Sequence, residues 1–133
     1  MGSVASESRH VSIGIERDAT SVYLYASEPQ NLPEWAAGLA GTIEYTDGEW
    51  VSESPMGRVK IEFAEANKFG VLDHWVTTET DEFYNPLRVI PDGLACEVLF
   101  TVRRQAGMSD DAFEADVAAI TADLHALKRV LES

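Results

Sequence analysis

Glu49-Trp50-Val51-Ser52-Glu53-Ser54-Pro55-Met56-Gly57-Arg58-Val59-Lys60-Ile61-Glu62-Phe63 reads as two strands closed by a turn. Val59, Ile61 and Phe63 alternate with Arg58, Lys60 and Glu62, the period-two pattern of a strand with one buried face. Ser54 to Gly57 supplies the turn between them. Outward from this hairpin, Asp47-Gly48, Ala64 to Lys68, Glu79 to Glu82 and Asp92-Gly93 mark further turns, separating strands expected at 41–46, 49–54, 57–63, 69–77, 83–90 and 94–104. Closing every turn with even-numbered slack sets the cross-strand partners: Trp50 with Ile61, Val59 with His74, Leu72 with Val89, Leu87 with Val98. One face of the sheet is then almost wholly apolar. The other carries Lys60, Asp73, Arg88 and Glu97 as a row of alternating charge.

The 133 residues, 45% apolar and 25% charged, suit one domain, with residues 1–9 expected as a mobile tail and 10–133 as the folded unit. Acidic residues outnumber basic ones 23 to 10, and the net charge of −13 opposes binding to phosphate backbones and to anionic lipid surfaces. Neither nucleic acid nor membrane is therefore expected as a partner. Met1 to Ser8 lacks the basic start and apolar stretch of a secretory signal, so the expected location is the cytoplasm, as a monomer or homodimer. Cys96, alone, can form no intrachain disulfide and anchors no cysteine metal cluster.

Helical signals flank the strands. Val11, Ile13 and Ile15 alternate as a first strand, after which Asp18 is an N-cap for a short helix through Ser27. Asn31 and Pro33 start a second short helix carrying Leu32 and Trp35, stopped by Gly38. At the far end Ser109 is an N-cap, Asp110 and Asp111 suit the positive end of the helix dipole, and Met108 can pack on Phe113. From there Phe113, Val117, Ile120, Leu124, Leu127 and Leu131 form one apolar stripe on a long helix. Such a stripe needs a concave apolar surface to bury it.

This order of elements, with Leu32-Pro33-Glu34-Trp35 in the second helix, resembles the START-like, helix-grip superfamily (SRPBCC), particularly its polyketide cyclase/dehydrase-like members. Phe69-Gly70-Val71-Leu72-Asp73-His74, Asn85-Pro86-Leu87-Arg88-Val89-Ile90-Pro91 and Gly107-Met108-Ser109-Asp110 resemble a small bacterial subfamily within it. The resemblance implies an α+β helix-grip fold: a curved antiparallel sheet wrapped around the long C-terminal helix, with two short helices after the first strand. It also implies a cavity between sheet and helix that takes hydrophobic small molecules. Members include carriers, cyclases, dehydratases and chaperone cofactors, so the fold leaves function open. A carrier or sensor is the first expectation, a cyclase or dehydratase the second, and a protein-interaction module the third.

The polar residues on the apolar face are the candidate site: Ser52, His74 and Asn85, with Tyr45 and Trp50 as amphipathic neighbours and Trp35 at the cavity mouth. His74 and Asn85 fall diagonally across a strand pair, about 7–8 Å apart at Cα. They can face a ligand oxygen together, or satisfy each other inside the core. In an enzyme, His74 would be the acid/base while Asn85 or Ser52 orients an oxygen. Cys96 would lie on the order of 12 Å from His74, too far for a nucleophile and its base. Asp73 and Arg88 belong to the outer charge row, although a one-residue bulge would turn them inward and His74 outward. His10, His74 and His125 lie on separate elements, and no phosphate loop or Ser-His-Asp order is present, so neither a metal nor a cofactor is expected.

Overall fold

The computed structural model describes residues 5–36, 39–54 and 57–133. In chain order the elements are β1 (Ser8–Ile15), α1 (Ala19–Ala26), α2 (Leu32–Trp35), β2 (Glu44–Thr46), β3 (Glu49–Ser54), β4 (Gly57–Phe63), β5 (His74–Thr77), β6 (Glu82–Asn85), β7 (Leu87–Asp92), β8 (Ala95–Arg103) and α3 (Asp110–Glu132). Among the described residues the strands form two antiparallel sheets, ordered β1-β8-β7 and β2-β3-β4-β5-β6. β1 starts at Ser8, inside the stretch expected as a tail, and Glu7 already accepts a backbone hydrogen bond from Arg104. Gly38 and the tip of the Ser54 to Gly57 turn lie outside the described residues.

The break between the sheets falls at Pro86, where one strand was expected over 83–90. Proline has no N–H to give to a ladder. Its carbonyl still accepts from Thr101, and the chain crosses from β6 in one sheet to β7 in the other. A short tie holds the sheets together: the Val89 amide donates to Gly70, the Leu72 amide donates to Leu87, and Val71 bridges Arg88. Gly70 has φ +72°, and a Cβ there would stand 2.1 Å from the Val89 carbonyl oxygen, so only glycine allows this approach.

Trp50 faces Ile61 as the counting predicts, but the later registers differ. His74 faces Phe63 rather than Val59, because the connection after β4 runs through residue 73 instead of turning at 64–68. Asn67 organises that loop, its carbonyl oxygen accepting from Phe69 and Val71 while its amide donates to Glu65 and Val71. Leu87 faces Phe100 rather than Val98, since the last turn is Gly93-Leu94, one residue later than expected. Each slip is an even number of residues, so every side chain keeps its face. The four-charge row does not survive. Lys60 lies opposite Thr77 and pairs with Glu49 at 3.1 Å, and Glu97 lies opposite Ile90, which leaves only Asp73 with Arg88.

Both long-range helix signals hold. Asp18 caps α1 by accepting from the Ser21 amide, and Ser109 caps α3 by accepting from Ala112. α3 lies across β1, β8 and α2, burying Phe113, Leu124, Leu127 and Leu131, a gross gain of about 6–12 kcal/mol as an upper bound. Val117 and Ile120, in the middle of the same stripe, are only half-buried. That gap in the packing is where the sheet and helix enclose a cavity.

Candidate functional site

The cavity holds about 440 Å³ between α3, α2 and the inner face of β5, β6 and β8. Leu32, Val76, Phe100, Val102 and Leu124 give it apolar walls. Alternation along the strands brings in His74 and Asn85, now directly opposite each other across β5 and β6 rather than diagonal. The end of α2 contributes Trp35, and α3 contributes Asp123.

His74 is 4% exposed. Burial pushes its pKa below the ordinary histidine value, against the smaller opposing effects of Leu72 and Asp73. Its Nδ1 lies 3.1 Å from the Leu72 carbonyl, and since a carbonyl only accepts, we assign the proton to Nδ1. Nε2 is then an acceptor with no hydrogen-bond partner among the described residues. The ring is fixed between Phe63 and Phe100, with centroids at 5.0 and 6.0 Å. Asn85 does not satisfy His74, and its own amide makes no hydrogen bond to a described residue. Trp35 is 4% exposed, and its Nε1–H is a buried donor with no partner among the described residues. An unpaired buried donor costs about 1–3 kcal/mol.

Asp123 is the site residue that the sequence reading passed over. It sits three residues after Ile120 and four before Leu127, so helical spacing sets it against the apolar stripe rather than on the solvent side. The carboxylate has no hydrogen bond or ion pair among the described residues, and burial pushes its pKa from 3.8 up to about 6. Asp116, two turns earlier, lines the same cavity nearer the exposed surface.

Tyr45, Trp50 and Ser52 do not line this cavity. They belong to β2 and β3, at the end of the sheet that α3 does not cover. Tyr45 is 60% exposed and packs on Trp50 with centroids 4.9 Å apart, while the Ser52 hydroxyl donates to the Glu53 carbonyl. Cys96 is buried away from the cavity, and burial pushes its thiol pKa up. Among the described residues no group of three or more His, Cys, Asp or Glu side chains is placed to hold a metal ion.

Asp73 and Arg88 are on the outer face, as the even registers require, but not as a solvated charge pair. Asp73 is 5% exposed and accepts from Arg88 Nε at 3.0 Å, from Arg88 Nη2 at 2.9 Å, from the Leu87 amide at 3.0 Å and from the Tyr84 hydroxyl. Burial alone would raise its pKa. The four donors outweigh that and hold it at about 2. The cluster fixes the chain around Pro86, where the two sheets part.

No protein-family model and no curated protein matches the sequence. Solved structures do match the fold. An uncharacterized protein from Bacillus thuringiensis superposes with a TM-score of 0.76 at 15% identity, covering 96% of this chain and 100% of its own. A START superfamily protein from Mycobacterium smegmatis gives 0.67 at 10% identity, over 94% and 97%. The di-domain ARO/CYC BexL gives 0.69 at 15% identity over 95% of this chain, which spans 46% of that longer one. The chain has the START-like helix-grip fold.

Proposed function

We propose that this protein is a cytoplasmic carrier or sensor that binds a hydrophobic small molecule between its sheet and C-terminal helix. The observation that carries the reading is the 440 Å³ apolar-walled cavity with a few inward polar groups, a size and make-up typical of small-molecule sites. A protein-interaction module would need no such interior volume. The test is native mass spectrometry of the purified protein, with extraction of any adduct into organic solvent. A copurifying small molecule, lost when Ala119 at the cavity wall is replaced by Trp, is the expected result. Absence of any adduct, together with no uptake of an added naphthalene probe, would overturn the reading.

A cyclase or dehydratase is the second reading, supported by the partnerless Nε2 of His74 against the cavity. There Nε2 would take a proton from the substrate and return it to a departing oxygen. Turnover lost in His74→Leu with binding retained would favour it over the carrier.

A further inference from the structure

Among the unsatisfied polar groups of the cavity, which include His74 Nε2 and the Asn85 amide, two ask for opposite things. Among the described residues Asp123 offers a carboxylate with no donor, and Trp35 offers an N–H with no acceptor. Half-burying a carboxylate without a cation is unfavourable, and no described residue offsets it. The charged and titratable groups around Asp123 give it no counterion. On α3 the neighbour is another acid, Asp116. On β5, burial disfavours a charge on His74. On β8, Arg103 lines the same cavity but makes no ion pair or hydrogen bond with Asp123, whose pKa shift has burial as its sole cause. On β6 the Tyr84 hydroxyl is committed to Asp73, and on α2 Glu34 accepts from Tyr25.

We propose that the cavity selects hydrophobic amines, holding the ammonium group on Asp123 while an oxygen or other acceptor on the ligand takes the Trp35 N–H. This rests on the cavity being a small-molecule site. The two polar groups explain each other through one ligand: an apolar body fills the wall region, the cation meets the acid on the helix, and an acceptor reaches α2. An anionic ligand is rejected by the same carboxylate. Because a carboxylate with this degree of burial loses its charge in mild acid, capture at neutral pH turns into release below it.

The probes are three naphthalenes of matched shape: 1-naphthylmethylamine, 1-naphthalenemethanol and 1-naphthoic acid, titrated calorimetrically into the folded protein. At about pH 8 the amine should bind about tenfold more tightly than the alcohol, the increment of a charge-assisted hydrogen bond, and the acid should bind least. At about pH 5 the advantage of the amine should fall by about tenfold as Asp123 protonates while the amine stays charged. Asp123→Asn should erase both the preference and its pH dependence and leave the alcohol bound. An alcohol that binds wild type as tightly as the amine, or a preference untouched in Asp123→Asn, would refute the amine assignment while leaving the cavity reading intact. If none of the three binds wild type or Asp123→Asn, the cavity reading fails as well. The wild-type pH arm decides the matter even if a variant misfolds.

Discussion

Asp123→Asn should make the ligand-free protein more stable at neutral pH and no more stable in acid. The substitution keeps the shape and removes only the charge. A carboxylate moved from 3.8 to about 6 carries a penalty on its charged form of about 3 kcal/mol if none of it is screened. Water reaching the cavity reduces this, and we expect about 1–2 kcal/mol. The sign follows from linkage: the folded pKa lies above the unfolded one, so the folded state binds the proton more tightly and loses stability as pH rises through the interval from 3.8 to about 6. The penalty is complete above about pH 7 and gone below about pH 3.8. Asparagine escapes it. Urea unfolding followed by circular dichroism, on protein refolded from denaturant to strip any ligand, should show the variant ahead by about 1–2 kcal/mol at pH 8, or about 4–8 °C in Tm. The gap should close by about pH 4. A variant less stable than wild type at pH 8, or a gap of the same size at both pH values, would show that Asp123 is solvated or paired and would remove the basis for its role in the cavity.

Asp73→Ala should cost about 2–4 kcal/mol, well above the ~1 kcal/mol of an exposed pair, because it strands the buried Leu87 amide along with Arg88 and Tyr84; an equilibrium denaturation loss below about 1 kcal/mol would contradict the burial. Its depressed pKa gives stability that is full above about pH 4 and lost as pH falls towards 2, so acid unfolding of Asp73→Ala should be the shallower over that range. Gly70→Ala should cost more than about 3 kcal/mol or prevent folding, since the added Cβ meets the Val89 carbonyl oxygen at 2.1 Å; wild-type stability would mean the sheets are joined differently. His74→Leu combined with Asn85→Leu should show a coupling energy below about 0.5 kcal/mol in a double-mutant cycle, because the His74 Nδ1–H bonds Leu72 and neither ring nitrogen bonds Asn85.

The faces of the sheet were legible before its registers were. Periodicity of two fixes which side chains point inward, and any even slip preserves that, so His74 and Asn85 face inward and Asp73 and Arg88 outward despite slips after β4 and before β8. Which residues oppose one another depends on turn lengths. The loop at 64–73 is set by Asn67 bonding to atoms up to four residues away and by Gly70 meeting a strand distant in sequence. Neither relation has a local signature. The charge row was inferred from registers rather than faces, and it failed where the registers did. Pro86 could have been read as a break, because a proline inside an otherwise continuous strand argues for a sheet boundary.

The site was harder, for a reason that lies in how a helix stripe is read. Tyr45, Trp50 and Ser52 share a face with His74, but a face is not a place, and only the part of the sheet covered by α3 becomes a cavity wall. Asp123 was invisible to the opposite rule: carboxylates on an amphipathic helix are assigned to solvent, and with 23 acidic residues one more attracts no notice. Its spacing from Ile120 and Leu127 was the available signal. Had Phe113 through Leu131 packed as an unbroken seam, a carboxylate flanking that seam would have been pushed to the rim and solvated. Instead Val117 and Ile120 are half-buried, Ala119 is too small to fill the space, and the row opens onto a cavity where Asp123 is half-buried. The incomplete packing of the stripe and the strained acid beside it are one feature, and a core built for stability alone would have had neither.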